Sequence, residues 1–155
     1  MKKRTVLGSL LYFAMSLDGH AYESAGQSFD IEVLTEQKDC IWGFDFLPSG
    51  NIVFTQRDGE LKQLNVSTHE VTTLKNVPEV SAKGQGGLLD VRVHPKFNST
   101  HWLYLTYSVA LPSGMTTRLA RAELVDGALT HFQVLFTAFE ANDNRIHFGG
   151  RIEFD

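Results

Sequence analysis

Apolar and polar residues alternate along much of the chain, in short runs that turn residues separate. The alternation is clear over residues 29–34, and again over 44–46 and 52–54 on either side of a Pro-Ser-Gly-Asn turn. It resumes over 61–66 after a second tight turn. Short alternating runs broken by Asp-Gly or Ser-Gly every ten residues or so are typical of an antiparallel β-meander. No stretch after the N-terminal segment has an apolar period of 3.6 residues over helical length, so the sequence predicts an all-β fold.

A weak internal repeat accompanies this alternation. Segment 44–48 (Phe-Asp-Phe-Leu-Pro) is echoed by segment 91–95 (Val-Arg-Val-His-Pro), and each copy follows glycine and precedes a turn and a second strand. A third copy is predicted to begin with a strand at 149–154, and the wider third interval is assigned to a polar loop at 111–115. A spacing near 45 residues with about four strands per unit is typical of β-propeller blades. The aromatic residues predicted to pack between blades are Trp42, Trp102 and Tyr104.

Residues 1–21 are predicted to be a cleaved export signal. A positively charged start, Met-Lys-Lys-Arg, precedes an apolar run over 5–17, which is shorter than the roughly 18 residues that a membrane-spanning helix needs. The run ends near Gly19 and Ala21, small residues spaced for signal cleavage. We therefore expect cleavage after Ala21, a β-propeller segment over 22–155, no membrane span, and a periplasmic or secreted location. A buried N-terminal helix is the alternative.

Composition and charge narrow the classes of function. The chain is 43% hydrophobic and contains 11 phenylalanines, enough apolar surface to exclude a disordered chain. The net charge is −4 and no basic stripe follows the first few residues, so a nucleic-acid partner has no electrostatic footprint. A single cysteine, Cys40, excludes an intrachain disulfide framework and any multi-cysteine metal site. An acidic exported domain with one cysteine favours a bacterial periplasm.

A glycine-rich segment at residues 83–90, Lys-Gly-Gln-Gly-Gly-Leu-Leu-Asp, is the first candidate site. A nucleotide-binding loop would need a helix after it, and a strand pattern follows instead. In one interpretation the glycines let a bulky planar ligand approach the backbone while the Gln85 amide reaches that ligand. In the other they only permit the positive φ of a tight turn between blades. The spacing by itself favours the turn.

His147 is the second candidate. It lies between a polar run at 142–145 and the strand predicted at 149–154, at the kind of junction that lines the central channel of propellers. A neutral imidazole can take a proton from an alcohol. Because a lone histidine is more often structural, the position alone does not assign a catalytic role to His147.

Taken together, several segments resemble the quinoprotein glucose/sorbosone dehydrogenases. They are Gly-Gln-Gly-Gly-Leu-Leu-Asp at 84–90, His-Pro-Lys-Phe at 94–97, Tyr-Leu-Thr-Tyr at 104–107 and Ile-Trp-Gly-Phe-Asp-Phe-Leu-Pro-Ser-Gly at 41–50. The segment His-Phe-Gly-Gly-Arg-Ile at 147–152 is similar to the bacterial aldose sugar dehydrogenase branch in particular. The resemblance extends from about residue 30 to the end. It implies a six-bladed β-propeller, of which this chain would contain about the first two to three blades.

The resemblance also implies a chemistry. The family holds pyrroloquinoline quinone (PQQ) with calcium over the central channel, oxidises the anomeric hydroxyl of aldoses to lactones, and passes electrons to an external acceptor. By this analogy His147 is the general base that removes the hydroxyl proton while hydride passes to the quinone C5, and Gln85 lies beside the quinone and the sugar. In the glucose-specific branch an aspartate precedes the histidine, where this chain has Ile146. The family's calcium ligands fall in later blades, so no metal ligand is assigned here.

Three functions follow from these patterns. The first is the N-terminal part of a periplasmic PQQ-dependent aldose dehydrogenase, in which the 155 residues alone have little activity because the propeller is not closed. The alternative is a non-catalytic exported β-propeller that binds carbohydrate or protein. A lactonase-type calcium propeller, the third, needs acidic channel ligands that the sequence does not locate.

Overall fold

The computed structural model describes residues 22–141 and 143–155, and this part of the chain is almost entirely antiparallel β-structure. The signal peptide predicted over residues 1–21 lies outside the described residues. Within the described ranges, no helix is long and apolar enough to span a bilayer. The chain divides into two units, residues 1–33 and residues 34–155.

The described part of the first unit contains a short hairpin. Its strands are β1 (Tyr22–Ser24) and β2 (Gln27–Phe29). Ala25 and Gly26 form the turn with φ of +50° and +74°, the left-handed backbone that a two-residue hairpin turn requires. The paired residues Tyr22 and Phe29 stack with ring centroids 5.7 Å apart, which adds a side-chain contact to the hairpin ladder.

The strand predicted over 29–34 is wrong beyond its first residue. Residues 30–34 are all described and belong to no strand. Ile31 and Val33, whose alternation produced the prediction, are 65% and 67% exposed. Alternation stabilises a strand only where one face of the strand is buried, and these two side chains are mostly exposed to solvent.

The second unit is built on two four-stranded antiparallel sheets, each with its strands in chain order. The first sheet contains β3 (Ile41–Phe46), β4 (Ile52–Gln56), β5 (Leu61–Leu64) and β6 (Val71–Thr73). The second contains β7 (Leu88–Val93), β8 (Trp102–Leu111), β9 (Gly114–Val125) and β10 (Ala128–Thr137). A four-residue helix, α1 (Phe97–Thr100), lies between β7 and β8. Because a four-stranded meander is the unit of a β-propeller, the all-β prediction and the repeat at 44–48 and 91–95 are both confirmed.

The second repeat is longer because its strands are longer. β8, β9 and β10 have 10, 12 and 10 residues, whereas β4, β5 and β6 have 5, 4 and 3. The polar loop predicted at 111–115 is therefore wrong. The β8–β9 ladder continues until Leu111 pairs with Gly114, so only Pro112 and Ser113 remain in the turn.

Residues 149–154 form no regular strand, which contradicts the predicted start of a third unit. Side chains of the second sheet bind this backbone instead of a neighbouring strand. The Thr106 hydroxyl donates to the Gly150 carbonyl (2.5 Å), and the Ile152 N–H donates to Asp90 Oδ2 (3.0 Å). These contacts hold the segment against β7 and β8 without a strand ladder.

Two aspartates make the same contact in successive repeats. Asp45 Oδ2 accepts the Val93 N–H (2.8 Å), and Asp90 Oδ2 accepts the Ile152 N–H (3.0 Å). In each aspartate, Oδ1 accepts the N–H of the residue that follows it, at 2.8 and 3.0 Å. The first strand of each repeat is thereby tied to the segment that begins the next one.

The hydrophobic core lies between the two sheets. Val53 and Leu61 of the first sheet and Leu105 and Tyr107 of the second belong to one cluster and are at most 2% exposed. The buried Thr55 hydroxyl accepts the Gly43 N–H at 2.9 Å, which satisfies a backbone donor inside this packing. Leu88 and Val91 anchor β7 in this core, and the Thr55 hydroxyl holds Gly43 of β3; these two strands carry part of the candidate site.

Candidate functional site

The structure brings the two predicted site residues together although they are 62 positions apart. Gln85 Oε1 accepts a hydrogen bond of 2.8 Å from the backbone N–H of His147. The backbone N–H of Gln85 in turn donates to the Arg145 carbonyl, also at 2.8 Å. Gln85 therefore binds the chain on both sides of Ile146 and helps to fix the backbone around His147.

A cleft of about 510 Å³ opens beside this contact. Its volume is typical of sites for small organic ligands. It is lined by Trp42, Gln85, Leu89, Asp90, His147, Phe148, Gly150 and Arg151. A second cavity, of about 400 Å³, shares His147 and the segment that follows it, so the histidine lies at the boundary of the two.

The backbone of His147 is held while its side chain is exposed. Its φ is +62°, a left-handed conformation that is uncommon for a residue other than glycine. Among the described residues, none forms a hydrogen bond with the imidazole ring. The ring is therefore available to a ligand in the cleft.

The glycines of segment 83–90 pack against protein. Gly84 has φ +60° and lies against the Arg145 carbonyl, and Gly87 has φ +149° and lies against the Arg57 carbonyl. A Cβ on either residue would overlap those backbone atoms. Neither glycine lines the cleft. The geometry therefore supports the interpretation in which the glycines permit a tight turn, while the Gln85 amide alone reaches the site.

Sequence reasoning assigned only Gln85 and His147 to the site, whereas six further residues line the cleft: Trp42, Leu89, Asp90, Phe148, Gly150 and Arg151. Trp42 was predicted to lie in the core but is 39% exposed. The sequence held a signal for two of these residues, because each lies next to a glycine that marks a repeat boundary. Trp42 precedes Gly43, and Arg151 follows the Gly149-Gly150 pair. Trp102 and Tyr104 are half-buried and contact His94 at the other end of their strand, so they do not belong to the site.

The cleft carries charges of both signs. Asp90 is 4% exposed, and its two carboxylate oxygens accept the N–H groups of Val91 and Ile152, so this carboxylate binds the protein backbone and not a ligand. The Arg151 side chain is 65% exposed, lies 4.0 Å from Asp90, and forms an ion pair of 2.9 Å with Glu153. Guanidinium groups bind carboxylates through paired hydrogen bonds, so Arg151 can bind an anionic ligand.

No metal centre is built by this part of the chain. Within residues 22–141 and 143–155, no three His, Cys, Asp or Glu side chains gather closely enough to hold a metal ion. The cleft therefore offers an exposed imidazole, an amide that orders the backbone beside it, an indole and a guanidinium. This set can position a polar organic ligand and accept a proton from it.

Comparisons with known proteins point to one family. The family described as Glucose / Sorbosone dehydrogenase matches residues 38–155. The aldose sugar dehydrogenase YliI of Escherichia coli (strain K12) is 34% identical over 136 residues, which cover 85% of this chain and 37% of that protein. The crystal structure of the soluble aldose sugar dehydrogenase from Escherichia coli in the apo-form matches with a TM-score of 0.75 at 34% identity, over 79% of this chain and 37% of the other.

A structure of the PQQ-bound form of aldose sugar dehydrogenase from Streptomyces coelicolor matches with a TM-score of 0.68 at 26% identity, over 78% of this chain and 36% of the other. The fold is therefore that of the β-propeller sugar dehydrogenases. The chain spans 29% and 37% of the length of the first two curated relatives that it matches.

Proposed function

This chain belongs to the glucose/sorbosone dehydrogenase family, and from that membership we propose that the protein is a PQQ-dependent aldose dehydrogenase of the periplasm or the secreted fraction. It oxidises the anomeric hydroxyl of an aldose to a lactone and passes the electrons to an external acceptor. The observation that carries the proposal is the 2.8 Å contact between Gln85 and His147 at the mouth of a cleft of about 510 Å³. It joins the two motifs that the family resemblance assigns to one site.

The cleft suits a planar, anionic cofactor such as PQQ. Trp42 and Leu89 offer an apolar wall, and the exposed guanidinium of Arg151 offers donors to a carboxylate. When bound, PQQ supplies the quinone that accepts a hydride from the substrate carbon. Within residues 22–141 and 143–155, no three His, Cys, Asp or Glu side chains gather to hold a calcium ion.

His147 acts as the general base. Its imidazole, in the neutral form, accepts the proton of the anomeric hydroxyl at an unprotonated ring nitrogen. As that O–H bond breaks, the oxygen forms the lactone carbonyl and the anomeric carbon loses its hydrogen as hydride, so the sugar loses one proton and one hydride, which together are two hydrogen nuclei and two electrons. Gln85 holds the His147 backbone during this step, and the side-chain amide of Gln85 takes no part in the proton transfer.

An aldose is the substrate class, without restriction to glucose. The residue before the histidine is Ile146, which is 41% exposed and lines the second cavity. An isoleucine offers no hydrogen bond to a sugar hydroxyl, whereas the aspartate of the glucose-specific branch does. We therefore expect broad specificity among aldoses, because recognition that depends on a hydrogen bond at this position is lost.

Dye reduction by the full-length gene product tests the proposal. The purified apoprotein is supplied with PQQ and Ca²⁺ and assayed with a panel of aldoses, and the lactone is detected chemically. The controls are the same reactions without PQQ, and sorbitol, which has no anomeric hydroxyl. Dye reduction that requires both PQQ and an aldose is expected. Carbohydrate binding without any reduction would contradict the proposal and favour the non-catalytic propeller.

A further inference from the structure

Arg57 is outside the cleft but supports the loop that carries Gln85. It follows β4, and its Nη2 donates two hydrogen bonds, to the Ala82 carbonyl at 2.8 Å and to the Gly84 carbonyl at 2.6 Å. Its own carbonyl accepts the Leu88 N–H at 3.2 Å. Arg57 therefore binds the loop on both sides of Gln85, with its side chain on one side and its backbone on the other.

Ser108 of β8 holds the same loop from the second sheet. Its hydroxyl donates to the Ser81 carbonyl (2.8 Å) and accepts the Gly87 N–H (2.7 Å). The Ser108 backbone binds the same two residues: its carbonyl accepts the Ser81 N–H and its N–H donates to the Gly87 carbonyl, at 2.9 Å each. The loop at 81–88 is thus fixed at its ends, and Gln85, which is exposed, projects from the middle part, where the Arg57 guanidinium binds the Gly84 carbonyl and the Gln85 N–H donates to the Arg145 carbonyl.

From this geometry we infer that Arg57 is a positioning residue that fixes Gln85 and, through Gln85, the backbone of His147. The inference rests on the proposed function for its kinetic consequence, but the positioning itself does not depend on it. The Arg57 guanidinium holds the Gly84 carbonyl. The next residue, Gln85, binds the Arg145 carbonyl through its backbone N–H and the His147 N–H through its side-chain oxygen. Displacement of the loop therefore moves the acceptor of the His147 N–H.

The chemistry of the side chain explains why an arginine occupies this position. A guanidinium is planar and directs its donors in fixed directions, so one group can bind two carbonyls that are two residues apart. It also lies 5.9 Å from the centre of the Trp42 ring, close enough for a cation–π contact with a residue that lines the cleft. A lysine has the same charge but neither the fixed geometry nor the flat face.

Hydrogen exchange on the full-length protein tests the positioning without any assay of activity. The variants are Arg57→Gln and Arg57→Lys, and Arg121→Gln is the matched control. Arg121, on β9 of the second sheet, stacks at 3.9 Å on Trp102 and donates to Gln133, so its loss also removes a cation–π contact and a hydrogen bond, away from the loop at 81–88. We expect amides at 84–86 and at 147 to exchange about fivefold faster or more in both Arg57 variants, while β8 is unchanged.

Kinetics with an aldose and PQQ then test the consequence. A displaced base lowers kcat by about 10- to 100-fold, with KM changed by less than about threefold, because the misplacement affects the reacting geometry more than binding. Guanidinium at millimolar concentration is expected to restore part of kcat in Arg57→Gln and none in Arg121→Gln.

The possible outcomes separate the inference from the proposed function. Faster exchange at 84–86 and 147 in a protein that oxidises no aldose supports the positioning and contradicts the proposed function. Unchanged exchange at residue 147, or exchange that is faster throughout β8 in both Arg57 variants, overturns the inference even in an active enzyme. An active enzyme whose kcat is unchanged in both variants overturns it as well.

Discussion

The side-chain oxygen of Gln85 lies 2.8 Å from the backbone nitrogen of His147 and accepts its hydrogen. The amide of one site residue is thus directed at the main chain of the other, and the imidazole ring is left exposed to the cleft. This arrangement gives Gln85 a second role beside the ligand contact that the family resemblance implies.

Substitution of Gln85 separates these two roles. In Gln85→Ala the His147 N–H loses its acceptor, so we expect about fivefold faster exchange of that amide and a lower kcat. In Gln85→Glu a carboxylate oxygen still accepts the N–H, so exchange stays close to that of the parent. The measurements are amide exchange and steady-state kinetics on the full-length protein. Gln63→Ala on β5 is the control, because that side chain is half-buried and does not line the cleft.

One result would contradict the positional role. If Gln85→Ala lowers kcat while exchange at residue 147 is unchanged, the amide acts on the ligand and not on the backbone. The two roles therefore give different results with the same protein sample.

Removal of the His147 imidazole is expected to lower kcat by about 10²- to 10⁴-fold, the usual contribution of a general base. His147→Asn is the suitable variant, because asparagine tolerates the left-handed φ of +62° better than alanine does. His131→Asn is the matched control, since His131 also has a positive φ (+48°) and an exposed side chain. Thermal unfolding checks that both variants fold. A His147→Asn enzyme with the turnover of the control would remove His147 from the proposed role.

Sequence reasoning located β3, β4 and β5 because alternation and turn residues are local signals, but it did not predict β6, β9 or β10. β3 and β4 occur where the pattern on either side of Pro48 predicted them. Alternation does not reveal which face is covered, however. Phe44 and Phe46 alternate as buried residues do, yet they are 53% and 58% exposed. The strand position is a property of the segment, and its burial depends on what packs against it.

The candidate site shows the same limit. Both motifs were recognised from their residues, but the bond between Gln85 and His147 depends on how two distant loops fold over β7. Nothing in the sequence indicated a role for Arg57, because a charged residue at the start of an Arg-Asp-Gly turn is ordinarily a solvent-exposed turn residue. Its importance arises from the Ala82 and Gly84 carbonyls, which lie 25 and 27 residues further along the chain.

The buried hydroxyl of Thr55 is expected to contribute to stability through its hydrogen bonds with the backbone. Thr55 is fully buried, its hydroxyl accepts the Gly43 N–H (2.9 Å), and it lies 3.3 Å from the Leu89 carbonyl, to which it can donate. Thr55→Val keeps the shape of the side chain but leaves that N–H without its hydroxyl acceptor. We expect the free energy of unfolding to fall by about 1–3 kcal/mol in urea titrations.

Thr72→Val on β6 is the control for this substitution, because Thr72 is exposed and a surface change is worth within about 0.5 kcal/mol. Equal effects of the two substitutions would show that the Thr55 hydroxyl is not needed in the core.

Asp39 and Asp58 form a carboxylate pair that is expected to make stability depend on pH. The Asp58 N–H donates to Asp39 Oδ2 at 3.0 Å, and this bond holds the pKa of Asp39 below its ordinary value. Partial burial, followed by the hydrogen bond and charge of Asp39, raises the pKa of Asp58 above its ordinary value. A raised pKa in the folded state means that Asp58 favours folding while it is protonated and loses that contribution as the pH rises through the raised value.

Asp58→Asn removes the second carboxylate and keeps the N–H that Asp39 accepts. The variant is therefore expected to be more stable than the parent at pH 7, where the parent carries both charges, and to lose this advantage near pH 3, where Asp58 is protonated in the parent. Urea unfolding at both pH values measures the difference. Asp126→Asn is the matched control, because Asp126 also precedes a glycine in a tight turn between strands. The pair has no such effect if the two variants differ from the parent by the same amount at both pH values.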